Sequence, residues 1–207
     1  MRTMFFRLAT VTSLVALIAG CSTMNQEECI RADWRLIGEA DASKGLHSSV
    51  LDEYREDCAE YAIVPDRDQY FLGFDRGLER FCTRSRGFYF GKEGGNYRGT
   101  CPAEKEPAFL LGYEPGHELF MIEDRLNEIR TGLRDGERKI YQLRETIERK
   151  ERQMVKESDE GKRKRLLSEI KEHNREIFWI KQDMTDSQFD LHFQELEYGR
   201  KLRLYSQ

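Results

Sequence analysis

The sequence lacks the short motifs that mark several common enzyme classes. It contains no G-x-S-x-G turn, no H-E-x-x-H pair and no P-loop, and the glycine-rich run 91–95 lacks the Lys-Ser/Thr ending that holds a phosphate. The histidines show no ligand spacing and no C-x-x-C pair occurs, so we expect neither a metal nor a cofactor. We therefore assign no catalytic residue and expect a protein that is not an enzyme.

An excess of positive charge is also missing. The chain carries 34 Lys and Arg against 38 Asp and Glu, for a formal charge of −4. Residues 1–20 contain two of the arginines and no acid, so without them 32 basic residues face 38 acidic ones, a charge of −6. Because proteins bind nucleic-acid phosphates through clustered Lys and Arg, this balance disfavours a nucleic-acid partner.

Residues 1–20 predict a cleavable export signal. Arg2 and Arg7 precede the uncharged segment 8–19, which is too short for a membrane-spanning helix of ~20 residues. Residues 18–21, Ile-Ala-Gly-Cys, resemble the lipobox of bacterial lipoproteins, in which lipid is joined to the cysteine, here Cys21, before cleavage. An ordinary signal peptide beside a chance cysteine is the alternative. Ser22, where aspartate would signal inner-membrane retention, implies an outer-membrane anchor with the protein facing the periplasm.

Four cysteines remain after Cys21: Cys29, Cys58, Cys82 and Cys101. An even number in an oxidising compartment indicates disulfide bonds, and three pairings are open. We favour Cys29–Cys58 with Cys82–Cys101, because each bond closes a local loop. A four-cysteine zinc site is the alternative, although the spacing does not suit it.

The composition divides the mature chain into two segments. Aromatic residues, glycines and cysteines concentrate before residue 120, and charged residues after it. We predict a mainly α protein, with a small disulfide-stapled helical domain (21–116) followed by a long antiparallel coiled-coil hairpin (117–207). Within the domain, Ser49 is predicted to cap a helix, and the glycine-rich segment 85–101 is predicted to be a loop or a short ribbon.

Heptad spacing predicts the hairpin. Apolar residues recur at intervals of three, four or seven between Leu119 and Met154, with exceptions at Gly136 and Lys150. The breaker 158–161 precedes a second series that runs in sevens from Ile170 to Tyr205. Each arm of about 40 residues should extend ~60 Å.

Two features of the second arm exceed what a hairpin seam requires. Four aromatic residues lie off the main apolar column: Phe178, Trp179, Phe189 and Phe193. They indicate contact with the first domain, scattered surface residues or a docking face for an envelope protein. The cluster Lys162-Arg163-Lys164-Arg165 is either solvated or a contact for an anionic partner such as a lipid head group or cell-wall polymer.

An internal repeat occurs in the first domain. The segment from Gly73 to Phe81 aligns with the segment from Gly112 to Phe120, and Trp34…Gly38…Asp41…Gly45 forms a looser third copy. Close helix packing is the favoured explanation, and a ligand groove is the alternative. The candidate binding residues are Asp33, Trp34, Asp41 and Arg76.

Several of these residues also carry a resemblance to a known family. The elements are Cys29…Asp33-Trp34, Asp66…Tyr70-x-x-Gly73-x-x-x-Gly77-Leu78-x-x-Phe81-Cys82, Tyr97-x-Gly99-x-Cys101-Pro102 and Phe109…Gly112-Tyr113-x-x-Gly116. They resemble the proteobacterial lipoproteins grouped as domain of unknown function 2799, over roughly residues 21–120. The resemblance implies a disulfide-bonded lipoprotein domain that faces the periplasm, and it implies no activity.

Three functions are compatible with these features. The first is a non-enzymatic envelope scaffold or interaction protein, anchored to the membrane by lipid, whose hairpin reaches an envelope protein or the cell wall. The second is a hydrolase or ligand-binding lipoprotein that uses carboxylates of the first domain. The third is self-association through the hairpin into a homo-oligomer.

Overall fold

The computed structural model describes residues 24–205, and this part of the chain is helical without strands. Its helices are α1 (Gln26–Arg31), α2 (Trp34–Ser43), α3 (Val50–Ala59), α4 (Arg67–Phe81), α5 (Arg84–Lys92), α6 (Glu106–Lys156) and α7 (Glu160–Tyr205). The predicted class, a disulfide-stapled helical domain followed by a long helical hairpin, is confirmed. The predicted signal (1–20) and the predicted lipidation site Cys21 lie outside the described residues.

Polar side chains set the starts of the short helices. Asn25 and Glu28 form a capping box at α1, and Asp33 accepts hydrogen bonds from two backbone N–H groups of α2. Asp66 caps α4 in the same manner. The prediction that Ser49 caps a helix was right about the position and wrong about the bond. Ser49 directly precedes α3, but its backbone is helical and its side chain makes no capping hydrogen bond. A cap needs an extended backbone to aim the side-chain oxygen at the helix.

Both disulfides follow the favoured pairing. Cys29–Cys58 joins α1 to α3, and Cys82–Cys101 joins the end of α4 to the segment before α6. All four sulfurs belong to the buried core of the domain, whose largest fully buried side chains include Tyr70, Phe81 and Phe109.

Two helix pairs, α2 with α4 and α5 with the start of α6, form this domain. Their backbones touch at glycines: a Cβ atom on Gly38 would lie 2.1 Å from the carbonyl oxygen of Tyr70, and one on Gly73 would lie 1.8 Å from that of Arg35. The second pair repeats the contact, since a Cβ on Gly87 would lie 2.2 Å from the Phe109 oxygen. Packing therefore explains the aromatic-glycine repeat.

The second pair also corrects the prediction for residues 85–101. Residues 84–92 form α5, and only the part that follows is irregular. Glycine is a poor helix former, which is why the segment resembles a loop in sequence. In the structure Gly87 and Gly91 are buried against the backbone of α6, so tertiary packing outweighs the local preference.

Corresponding turns close the two pairs. Gly45 has a φ of +80° and Gly94 a φ of +78°, a left-handed conformation that favours glycine. A side chain at either position would also clash with an aromatic ring, that of Phe81 at Gly45 and that of Phe120 at Gly94. The looser copy that begins at Trp34 therefore corresponds to α5. The sequence analysis did not detect this match, because it predicted a loop or a short ribbon for residues 85–101.

The hairpin consists of α6 and α7. Helix α6 is 51 residues long and runs without a break through residues 116–117, where the sequence predicted a domain boundary. The connection is residues 157–159, and α7 then runs back for 46 residues, about 69 Å. We call the end near 157–159 the tip and the end near Tyr205 the base.

Apolar residues of both helices form the seam of the hairpin. Its buried members include Ile140, Leu143, Ile147, Ile170 and Ile177. The two exceptions in the register have partners across the seam. Gly136 lies under Met184, and the ammonium group of Lys150 lies 2.5 Å from Glu169.

Candidate functional site

A buried carboxylate lies at the centre of the first helix pair. Asp41 of α2 is 4% exposed. Its Oδ1 accepts a hydrogen bond from the Tyr54 hydroxyl at 3.3 Å, and its Oδ2 accepts one from the Tyr70 hydroxyl at 3.1 Å. The two tyrosines come from α3 and α4, so three helices meet at this group.

Burial controls the protonation of this cluster. Removal from water raises the pKa of Asp41, and the two tyrosine hydrogen bonds and the nearby Lys44 oppose that rise. Burial and the adjacent Asp41 raise the pKa of Tyr54 to about 12, and the pKa of Tyr70 is raised for the same reasons. Both phenols therefore remain hydrogen-bond donors to the carboxylate across the physiological pH range.

The second helix pair shows that the fold does not require this carboxylate. Asp41 lies three residues after Gly38, and Phe90 lies three residues after the equivalent Gly87. The Phe90 ring packs on Phe109, whose backbone contacts Gly87 as that of Tyr70 contacts Gly38. An aromatic pair thus occupies the position that Asp41 and Tyr70 occupy in the first pair. The polar version is specific to one site, which makes that site a candidate for binding.

An open groove of about 490 Å³ adjoins Asp41. It is lined by Met24, Glu28, Arg31, Ile37, Ala40, Asp41, Lys44 and Tyr54. Cations and acids both occur in this lining, together with apolar carbons and a phenol. Such a surface suits a small polar ligand that carries charge.

The structure gathers only some of the predicted binding residues. Trp34 is 8% exposed, and its ring centroid lies 6.1 Å from that of Tyr54, so Trp34 and Asp41 share a neighbour. Asp33 caps α2 through its side chain, a structural role. Arg76 lies on the exposed side of α4, and within the described part of the chain no hydrogen bond or ion pair joins it to Asp41.

Sequence analysis missed the contribution of Tyr54 and Tyr70 to this site. Tyr70 is part of the motif that carries the family resemblance, and neither tyrosine is among the candidate binding residues. The tyrosines near the candidate carboxylates were a usable signal in the sequence. A buried carboxylate needs hydrogen-bond donors, and the hydroxyls of core tyrosines can supply them.

A second candidate site is the outer aromatic face of α7, which we define as Phe178, Trp179, Phe189, Phe193 and Leu196. These side chains are between 60% and 74% exposed. The predicted alternative of contact with the first domain is therefore wrong, because such contact would cover them. With about 100° between successive residues, Phe178, Phe189 and Leu196 fall within about 20° of one line along the helix. The buried seam residue Ile177 lies about 100° away from Phe178.

The basic cluster lies at the tip, in the first turns of α7. Lys164 pairs with Glu160 at 2.7 Å, and Lys162 lies 3.9 Å from Glu157, so neighbouring acids neutralise part of its charge. Across residues 24–205 no group of three or more His, Cys, Asp or Glu side chains is arranged to hold a metal ion. Within the same range no helix is long and apolar enough to cross a membrane.

The comparisons with known proteins identify one segment. The model of a family described as "Protein of unknown function (DUF2799)" matches residues 33–118. The match begins at the cap of α2 and ends inside α6, so it contains both glycine-packed helix pairs and excludes most of the hairpin. Neither a curated protein nor a solved structure matches the chain.

Proposed function

We propose, for a chain whose residues 33–118 match the DUF2799 family model, a non-enzymatic role as a lipid-anchored interaction protein of the bacterial envelope. Cys21 attaches it to the outer membrane, and the protein faces the periplasm. The disulfide-bonded first domain carries the hairpin, and the hairpin presents the outer aromatic face of α7 to a protein partner.

The exposed aromatic face carries this proposal. A hairpin that served only as a spacer would need its seam and a polar exterior. Here Phe178, Phe189 and Phe193 are 60%, 74% and 62% exposed, outside the seam with α6. Contiguous exposed apolar surface marks interaction sites, and aromatic side chains supply most of the buried area in protein interfaces.

The first residues that the structure describes support attachment of the first domain close to a membrane. Met24 is 8% exposed, and its backbone N–H donates a hydrogen bond to Asp57 at 3.0 Å. The Cys29–Cys58 disulfide then ties α1 to α3. Cys21 precedes Met24 by three residues, which span at most about 10 Å. A lipid on Cys21 would therefore hold the domain against the bilayer surface.

In-cell photo-crosslinking tests the proposed partner contact. A photoreactive residue at Phe193 of the lipidated protein, expressed at native level, should yield one dominant protein adduct, identified by mass spectrometry. The same residue at Glu137, on the exposed surface of α6, is the matched control and should give none. A second probe at Lys164 tests the basic cluster at the tip. Absence of an adduct at Phe193 would contradict the proposed docking face.

Metabolic labelling tests the anchor separately. The wild-type chain should incorporate labelled palmitate and fractionate with outer membranes, and Cys21→Ala should do neither. A wild-type chain that is exported without lipid would leave the docking face intact as a hypothesis and remove the anchor.

Ligand binding at Asp41 is the second candidate function, and the adjoining groove favours it. A strain that lacks the native gene can be complemented with Asp41→Asn or with Phe189→Glu. Loss of complementation by Asp41→Asn, with normal folding by circular dichroism, would support chemistry or binding at the groove. Loss by Phe189→Glu alone would support the interaction role.

A further inference from the structure

We infer that the tip of the hairpin docks on the surface of an anionic lipid bilayer. The docking surface is residues 148–168, which comprise the last turns of α6, the connection and the first turns of α7, and which we call the tip segment. The inference goes beyond the proposed function, because it requires neither the lipid anchor on Cys21 nor the outer aromatic face of α7.

The charge of the tip segment is opposite in sign to that of the rest of the described chain. Residues 148–168 carry eight Lys and Arg against five Asp and Glu, a charge of +3. The remainder of residues 24–205 carries 24 against 33, a charge of −9. An anionic surface therefore attracts the tip segment and repels the other parts of the molecule, so the hairpin would meet such a surface end-on.

Several cations of the tip segment are available to an external anion. Lys164 pairs with Glu160, and Lys162 lies 3.9 Å from Glu157. Lys156, Arg163 and Arg165 are exposed, and within residues 24–205 none of these three forms an ion pair. They come from both helices, which the connection 157–159 brings to the same end of the hairpin.

The fold does not account for the basic cluster 162–165. These residues occupy the first turns of α7, where the helix dipole disfavours positive charge. The start of the helix is already satisfied by an acid, because Oδ1 of Asp159 accepts a hydrogen bond from the Lys162 backbone N–H at 2.8 Å. The cluster therefore adds nothing to the stability of α7, and a contact outside the chain explains its presence.

Exposed apolar side chains accompany the cations and favour a bilayer over a polymer. Val155, next to Lys156 at the end of α6, is 83% exposed, and Leu167, which follows the cluster, is 42% exposed. An anionic cell-wall polymer would neutralise the cations and leave these side chains in water. A bilayer surface accepts both kinds of side chain, since cations lie among the head groups and apolar side chains enter the acyl boundary.

Vesicle flotation tests the inference. Residues 22–207, exported behind an ordinary cleavable signal peptide so that the chain carries no lipid, are mixed with vesicles. One set contains phosphatidylglycerol and phosphatidylcholine in a ratio of about one to two, and the other contains phosphatidylcholine alone. We expect binding to the anionic vesicles that added salt reverses, and none to the neutral vesicles.

A matched pair of charge variants locates the contact. Arg163→Gln/Arg165→Gln should weaken binding about tenfold or more, because each cation near an anionic surface contributes to the attraction. Arg134→Gln/Arg138→Gln removes the same charge from exposed positions of α6 and should leave binding unchanged. Arg138 lies ~27 Å along the helix from Lys156, more than three Debye lengths at physiological salt. Circular dichroism should show equal helicity in both variants.

Insertion of the apolar side chains has its own readout. The fluorescence of Val155→Trp should shift to shorter wavelength on anionic vesicles, whereas the emission of the wild type, from Trp34 and Trp179, should not shift. Binding without that shift, or binding to purified cell wall and not to vesicles, would overturn the bilayer as the partner.

The outcomes separate this inference from the proposed function. Absence of binding to anionic vesicles, or binding that Arg163→Gln/Arg165→Gln does not weaken, would overturn the inference. Neither result bears on the protein adduct expected from Phe193, which tests the docking face on α7. Palmitate labelling of Cys21 likewise tests the anchor alone.

Discussion

Asp41 and Phe90 occupy equivalent positions in two copies of one helix pair. The Asp41 carboxylate accepts a hydrogen bond from Tyr70 at 3.1 Å, whereas the Phe90 ring centroid lies 6.1 Å from that of Phe109. Because both pairs close on the same glycine contacts, the second copy shows that an apolar pair is sufficient for the packing. The first copy retains a carboxylate whose burial costs desolvation free energy, which suggests a use beyond stability.

Replacement of Asp41 by Asn should change the pH dependence of stability. Burial raises the pKa of Asp41 above its ordinary value of 3.8, so the folded state holds the proton more tightly than the unfolded state. The resulting stabilisation is complete below pH 3.8 and is lost as the pH rises through the folded-state pKa. The free energy of unfolding of the wild type, relative to that of Asp41→Asn, should therefore fall as the pH rises above 3.8.

Urea unfolding followed by circular dichroism at several pH values measures this difference. Asp52→Asn is the control, because Asp52 is exposed and pairs with Arg55 within α3. Parallel stability curves for wild type and Asp41→Asn would show that the carboxyl titrates alike in the folded and unfolded states.

The parts of the fold that depend on local patterns could be predicted from the sequence. The positions of Cys29 and Cys58 favoured the correct disulfides, and heptad spacing predicted the seam around Ile140 and Ile177. Helix α5 was missed because Gly87 has a low helix preference, and its reason for being helical, the backbone of Phe109, lies more than twenty residues away.

The candidate site could be predicted only in part. Asp41 and Trp34 were identified as candidates, and the structure places both beside Tyr54. Asp33 has the same residue type as Asp41 but a capping role, because what separates the two is burial, and sequence does not report burial directly. Arg76 was grouped with them, yet its position on α4 turns it toward solvent.

Gly73→Ala should destabilise the protein by about 3 kcal/mol, because the new methyl group would lie 1.8 Å from the Arg35 carbonyl oxygen and the two backbones would have to separate. Gly132→Ala is the matched control. Gly132 also lies within a helix, but nothing lies within 4 Å of its Cβ position. That change should stabilise the protein by up to about 1 kcal/mol through helix propensity. Chemical unfolding measures both, and equal effects would contradict the close approach of α2 and α4.

Removal of Cys29–Cys58 by a double Ser substitution should cost about 3.5 kcal/mol, because the bond closes a loop of 29 residues in the unfolded chain. The Cys82–Cys101 double variant, with a separation of 19, should lose slightly less. Thermal unfolding followed by circular dichroism compares them. Hydrogen exchange should show loss of protection in α1 for the first variant alone, and protection retained there would show that α1 is held by other contacts.

Glu118→Gln should loosen the base of the hairpin. Glu118 of α6 accepts hydrogen bonds from Lys201 and Tyr205, which join the end of α7 to the first turns of the hairpin part of α6. These bonds lower the pKa of Glu118 below its ordinary value of 4.5, so their stabilisation is present above pH 4.5 and is lost as the pH falls through the folded-state pKa. In the wild type, hydrogen exchange of residues 197–205, corrected for intrinsic rates, should therefore rise several-fold below pH 4.5. Glu118→Gln should show that faster exchange already at pH 7, and Glu128→Gln, which removes an exposed partner of Arg125 on the same helix, should not. Unchanged protection of residues 197–205 in Glu118→Gln would assign the docking of α7 to its apolar contacts instead.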